Sequence, residues 1–180
     1  MNILALSGSL RAASTNMALL EAVSASAPEG MAVALYRGLG DLPIFSPDRE
    51  GEARPAAVLD LAARVEACDG IVIACPEYAH GIPGGLKNAL DWLVSGFEIP
   101  GKPVMIAHSS HRGEFVLQAL REVLKTMSVR LVEEAFVRVP LVGKKPDEAA
   151  RILAAPETTA ALRAALERFR PAITEARDMR

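Results

Sequence analysis

The sequence predicts an α/β fold: a doubly wound sheet of five parallel strands in the order 2-1-3-4-5, with helices on both faces. Short β-branched and aliphatic runs alternate five times with stretches whose apolar residues recur at helical spacing. Two runs, Ile71-Val72-Ile73-Ala74 and Pro103-Val104-Met105-Ile106-Ala107, are apolar throughout, as strands covered on both faces are. No linker or internal repeat interrupts the 180 residues, so one domain over 1–180 is expected. Right-handed crossovers leave few strand orders, and 2-1-3-4-5 is the simplest. Its switch point lies between the first and third strands, and ligands bind at such points.

Ile3 to Leu6 is the first strand, and a serine-rich loop from Ser7 to Asn16 follows it. Met17, Leu20, Val23 and Ala27 mark the inner stripe of the first helix, and Met31 to Tyr36 is the second strand. Gly38 to Arg54 is a long loop with turn signals at Asp41-Leu42-Pro43 and Ser46-Pro47-Asp48. Pro55 suits the first position of a helix whose stripe is Val58, Leu61, Ala62 and Val65. The third strand, Ile71 to Ala74, stops at Cys75-Pro76, because proline has no N–H for the ladder. Pro83-Gly84-Gly85 leads into the third helix, with Leu86, Ala89, Leu90 and Leu93 inward. The fourth strand begins at Pro103, and Phe115 to Met127 is the fourth helix, with Val116, Leu120, Val123 and Leu124 inward. Val129 to Val132 and Ala135 to Val139 share a fifth strand, whole or interrupted. Leu141 to Thr158 reads as irregular, with one helical turn around Asp147 to Leu153. The last helix turns Leu162, Leu166, Phe169 and Ile173 to the core, with a kink expected at Pro171.

The formal charge of -2 argues against a nucleic-acid or membrane-surface role, since either needs a clustered basic face. Cys68 and Cys75 form no CxxC pair and read as core residues in a reducing compartment. Asn2 to Leu6 is too short for a signal peptide, and no apolar run approaches ~20 residues. A cytoplasmic location is expected.

Three loops carry the chemistry. In the first, hydroxyl and amide groups of Ser7, Ser9, Ser14, Thr15 and Asn16 gather with Arg11 at a helix N-terminus, where N–H groups and the dipole favour an anion. A phosphate would be held there without a metal; the loop alone equally allows an ordinary N-cap by Ser14 or Thr15 with Arg11 solvated. In the second, Pro76 to Gly81, the N–H groups of Glu77, Tyr78 and Ala79 lie between strand and helix beside the Tyr78 ring, with His80 and Gly81 allowing close approach. Such a surface suits a flat, hydrogen-bonding heterocycle. The alternative there is that Tyr78 caps the core and His80 is solvated. The third, Ser109-Ser110-His111-Arg112-Gly113, would flank the same crevice or form a solvated turn. Gly96 to Lys102 imitates a P-loop, but Pro103 stands where the metal-binding hydroxyl belongs and a strand follows instead of preceding, so it is rejected. No metal-ligand spacing, GxSxG elbow or catalytic side chain is assigned. Trp92 falls off the core stripe of the third helix with Asn88 and Ser95. It is expected either to be exposed for self-association or to pack under Phe97 to Pro100.

On Gly8-Ser9-Leu10-Arg11 with Ser14 and Asn16, on Asp41-Leu42-Pro43 with Pro47-Asp48, and on Pro76-Glu77-Tyr78 followed by Ile82 to Trp92, the chain resembles the NADPH-dependent FMN reductase family. This flavodoxin-like group includes quinone, azo and chromate reductases, and the resemblance covers roughly Met1 to Val139. It implies that Ser9, Arg11, Ser14, Thr15 and Asn16 hold the FMN phosphate. Pro76, Glu77, Tyr78, Ala79, His80 and Gly81 would border the isoalloxazine ring, and Ser109, Ser110, His111, Arg112 and Gly113 would complete the pocket. It also implies a homodimer or homotetramer through the helix containing Trp92. Two departures stand out: Ala79 replaces a common asparagine, and His111 and Arg112 stand in a loop that is usually glycine-rich.

The implied activity is FMN-dependent NAD(P)H oxidoreduction, with hydride passing from NADPH or NADH to flavin N5 and on to free flavin, a quinone or a similar small-molecule acceptor. The alternatives are a flavodoxin-like electron carrier and a flavin-binding module without catalysis.

Overall fold

Every residue of Gly70–Ala74 is buried, and its side chains divide alternately between two apolar layers. That division organises the computed structural model, which describes residues 1–179. The strands are β1 (Asn2–Ser7), β2 (Ala32–Tyr36), β3 (Gly70–Ala74), β4 (Pro103–His108), β5 (Arg130–Leu131) and β6 (Val137–Arg138). All pairings are parallel and the order is β2-β1-β3-β4-β5, with β6 also pairing β4. The flavodoxin-like order expected from the alternation is therefore present.

The helices are α1 (Thr15–Ala25), α2 (Ala56–Ala67), α3 (Gly84–Leu93), α4 (Glu114–Thr126), α5 (Pro146–Ala154) and α6 (Pro156–Asp178). Leu4, Leu6, Ile71, Ile73, Val104 and Ile106 face α2, α3 and α4, while Ile3, Ala5, Val72, Ala74, Met105 and Ala107 face α1, α5 and α6. Period-two alternation within strands thus explains why runs apolar at every residue were needed. β5 pairs the start of β4 and β6 its end, with a 3₁₀ turn at Glu133–Ala135 between them. The fifth strand is the interrupted one.

Four expectations are corrected. α1 buries Asn16, Leu19, Leu20 and Val23, while Met17 is partly exposed and Ala27 lies beyond the helix. With Thr15 as first residue, the 3.6 period brings Asn16 inward instead of Met17. Pro55 occupies the N-cap position of α2, one residue before the helix. The segment expected to be irregular contains the nine-residue α5 and the start of α6. Pro146 and Pro156 open these helices instead of breaking them, since the first turn has no partner for the missing N–H.

The fourth correction concerns Trp92, which is 0% exposed. The face of α3 opposite the sheet is covered by the loop after β2. Pro43 O accepts from Trp92 Nε1 at 2.8 Å and from Asn88 Nδ2 at 3.0 Å. Asn88 Oδ1 accepts the Phe45 N–H at 2.8 Å, the Phe45 ring stands edge-on to the indole at 5.1 Å, and Ser95 bonds Glu50. The hydrogen bonds and ring contact over this face come from residues 43–50, and Ile99 is buried in the same cluster as Trp92. Lys102, the lysine of the rejected P-loop imitation, is buried and donates to the carbonyl of Cys68 at 2.8 Å, closing the C-terminal end of α2. No described helix is long and apolar enough to cross a membrane.

Candidate functional site

The carboxyl ends of β1, β3 and β4 release three loops that enclose a cleft of about 700 Å³. That size lies within the ~300–1,000 Å³ range of small-molecule sites.

Gly8 lets the first two loops touch. Its N–H donates to Ala74 O at 2.8 Å, and a Cβ there would lie 3.1 Å from Pro76 Cδ and 3.3 Å from Cys75 Cα. Ser9 and Arg11 then turn the chain, each N–H donating to a serine hydroxyl two residues back. Ser14 is the N-cap of α1, and its Oγ accepts the N–H groups of Asn16 and Met17 at 3.2 and 3.3 Å. Ser14, not Thr15, is therefore the cap. Ser9, Arg11, Ala13, Ser14, Thr15 and Asn16 all line the cleft. Among the described residues, the N–H groups of Ala13, Ser14 and Thr15 have no acceptor and the Arg11 guanidinium has no partner. Asn16 is buried, and its Oδ1 accepts from Ser109 Oγ at 3.0 Å, tying the first loop to the third.

The second loop departs from expectation in its hydrogen bonding. Tyr78 N–H donates to Gly81 O at 3.1 Å, and Gly81 N–H donates back to Tyr78 O at 2.9 Å. The Tyr78 N–H is therefore not free for a ligand, whereas those of Glu77 and Ala79 have no acceptor among the described residues. Ala79 and His80 form the two-residue turn, both left-handed with φ of 48° and 61°. Such turns favour Asn-Gly, because an ordinary Cβ is crowded there. Ala79 and Gly81 build the turn without lining the cleft, while Pro76, Glu77, Tyr78 and His80 line it. Asparagine at position 79 would suit this left-handed backbone better than alanine. Ala79→Asn is expected to stabilise the protein by about 0.5–1 kcal/mol, a rise in Tm of roughly 1–4 °C by calorimetry. A fall in Tm would mean that the left-handed backbone at position 79 gains nothing from asparagine.

Glu77 is also already engaged. Its Oε2 accepts the Val116 N–H of α4 at 3.0 Å. Gly113 sits at the N-cap of α4 with φ of 104° and has no side chain to cap it, so the cap comes from the neighbouring loop.

At the end of β4, His108 is buried, and its Nε2–H donates to Arg112 O of the third loop at 2.6 Å. Burial lowers its pKa, so the ring is held neutral. Ser110 Oγ accepts the Arg112 N–H at 3.0 Å. A Cβ on Gly113 would lie 2.9 Å from the His108 ring. Ser109, Ser110, His111, Arg112 and Gly113 all line the cleft. Ala13, Glu114, Phe115 and Val142 line it as well and were missed by the sequence reading. Ala13, Glu114 and Phe115 lie inside or beside the loops singled out, so a wider window would have found them. Val142 has no local signal and arrives through the chain beyond β6, where the Leu141 N–H donates to Ser109 O.

The profile of the NADPH-dependent FMN reductase family matches residues 1–142. The chain belongs to that family. Within it, a quinone reductase of Escherichia coli is 39% identical over 113 residues, which is 61% of this chain and 60% of that protein. The chain therefore matches about three-fifths of the length of that relative. An NAD(P)H-dependent FMN reductase of Pseudomonas aeruginosa is 31% identical over 157 residues, 84% of each chain. Among solved structures, a flavoenzyme NAD(P)H:(acceptor) oxidoreductase from Paracoccus denitrificans superposes with a TM-score of 0.81 at 23% identity, covering 97% of this chain and 98% of that one. That likeness concerns the fold.

Proposed function

We propose that this chain is an FMN-dependent NAD(P)H oxidoreductase whose three loops hold the flavin and admit a small acceptor such as a quinone or free flavin. The observation that carries the proposal is the set of unpaired donors at the start of α1: the N–H groups of Ala13, Ser14 and Thr15 beside the free Arg11 guanidinium. The first N–H groups of a helix have no partner within it, and a phosphate in the cleft would accept them here. The residues present therefore fit the phosphate of FMN, and the cleft has room for a heterocycle beside the Tyr78 and His80 rings.

The bound flavin would supply the hydride chemistry. The protein's part is to bind and orient. Arg11, Ser9 and the α1 N-terminus would fix the phosphate end. The unpaired N–H group of Glu77, which lines the cleft, would meet charge developing on the ring. Glu77, by holding α4, would keep the second and third loops at a fixed separation. Family membership and the relatives named above support the same reading. Self-association as a dimer or tetramer is proposed at the end of α3, where Val94 and Phe97 are exposed, instead of through the Trp92 side chain; sedimentation velocity reads the mass. A cytoplasmic location, in keeping with the buried Cys68 and Cys75, is proposed; fractionation would check it.

The experiment is an absorbance spectrum of protein loaded with FMN, followed by anaerobic NADPH. Bleaching of the ~450 nm flavin band is expected. Bound but unbleached flavin would replace the oxidoreductase with an electron carrier or a binding module, and no bound flavin would sink the site.

A further inference from the structure

The charges around the cleft are unevenly satisfied. Both carboxylates on its wall are committed: Glu77 to the Val116 N–H, and Glu114 to Arg138 at 2.8 Å, which holds its carboxyl below the usual range. Both guanidiniums on its wall, Arg11 and Arg112, have no partner among the described residues. Arg11 is accounted for by the phosphate end of the proposed cofactor; Arg112 is not. It stands on a different strand end, and its backbone is fixed from two sides. The buried His108 ring donates to its carbonyl and Ser110 Oγ accepts its N–H. Gly113 closes against the same imidazole, so the loop has little freedom to withdraw. An exposed arginine on a solvated turn needs no such anchoring; one that must present a charge at a set place does.

Resting on the oxidoreductase reading, we propose that Arg112 is a specificity-determining residue that pairs with an anionic group on the second substrate, and that His108 is the residue that positions it. The His80 and Phe115 rings, packed edge-to-face at 4.4 Å on the same wall, offer that substrate an aromatic flank. The anion is a phosphate or carboxylate, for which the planar guanidinium is suited. It belongs either to the nucleotide, as the 2′-phosphate that distinguishes NADPH from NADH, or to the acceptor.

The test compares wild type with Arg112→Gln and Arg112→Lys in three readouts. FMN titration into apoprotein reports the cofactor site. Calorimetric titration of FMN-loaded protein with 2′,5′-ADP against 5′-ADP reports the nucleotide arm. Steady-state KM for a carboxylated against a neutral quinone reports the acceptor arm. A roughly tenfold loss of the preference for the anionic member in one arm is expected for Arg112→Gln, with partial recovery in Arg112→Lys. His108→Phe should lose part of the same preference, because the ring remains while the hydrogen bond to Arg112 O is removed. Unchanged preferences in both arms would overturn the proposal while leaving the oxidoreductase reading intact. A fall in FMN affinity matching that of Arg11→Ala would overturn it by assigning Arg112 to the cofactor phosphate. Absence of FMN binding by wild type would instead sink the reading on which the proposal rests.

Discussion

Trp92→Ala is expected to lower the unfolding free energy by about 3–5 kcal/mol, the cost of emptying a fully buried aromatic site. At about 2–4 °C per kcal/mol for a chain of this size, Tm should fall by roughly 6–20 °C. Two effects combine. The edge contact with Phe45 and the surrounding apolar packing disappear, and Pro43 O loses the stronger of its two hydrogen bonds. Trp92→Phe separates them, since it keeps most of the packing and removes only the Nε1–H; about 1 kcal/mol is expected there. The measurement is thermal unfolding by circular dichroism at several protein concentrations. A loss that appears only on dilution would mean that Trp92 stabilises an oligomer interface, because association makes Tm concentration-dependent. A loss independent of concentration matches the indole's place beneath the chain's own loop.

Trp92 also marks the limit of what its sequence conveys. Helical spacing puts Leu86, Ala89, Leu90 and Leu93 on one stripe, all four buried, and Asn88, Trp92 and Ser95 on another, although Trp92 is buried in the same cluster as the first four. Spacing cannot say what lies over the second group, because the covering residues are some 45 positions earlier in the chain. The sheet order was legible for the opposite reason: Ile71 to Ala74 and Pro103 to Ala107 are apolar throughout and the crossovers permit few arrangements. In the cleft, the meeting of three loops follows from strand order and could be read in advance. Which donors are free could not, because it depends on turn type. Ala79 and His80 adopt a left-handed pair that closes the Tyr78 N–H, although neither residue advertises such a turn. Glu77 likewise gave no sign of capping a helix 39 residues away. In the last quarter, Pro146 and Pro156 stand in the first turns of α5 and α6, where a proline is compatible with a helix, and the reading of one helical turn fell short of the nine residues of α5.

Arg11→Ala is expected to weaken FMN binding by roughly 10–150-fold, the equivalent of about 1.5–3 kcal/mol for a hydrogen bond to a charged group. The side chain is exposed and has no partner among the described residues, so nothing in the apoprotein depends on it. The variant should therefore retain the wild-type Tm without flavin and lose most of the Tm gain on adding FMN. Ser14→Ala provides the contrast. Its hydroxyl accepts two N–H groups of α1, so its removal should cost about 1 kcal/mol of apoprotein stability as well as affinity. The two variants thus separate a group present for the ligand from one that also builds the helix. Raising ionic strength should erode the difference between wild type and Arg11→Ala, because an exposed ion pair is screened. FMN titration at low and high salt, followed by flavin fluorescence, measures both effects. Equal affinity of wild type and Arg11→Ala at low salt would remove Arg11 from the phosphate site and leave the N–H groups of Ala13, Ser14 and Thr15 to hold the phosphate.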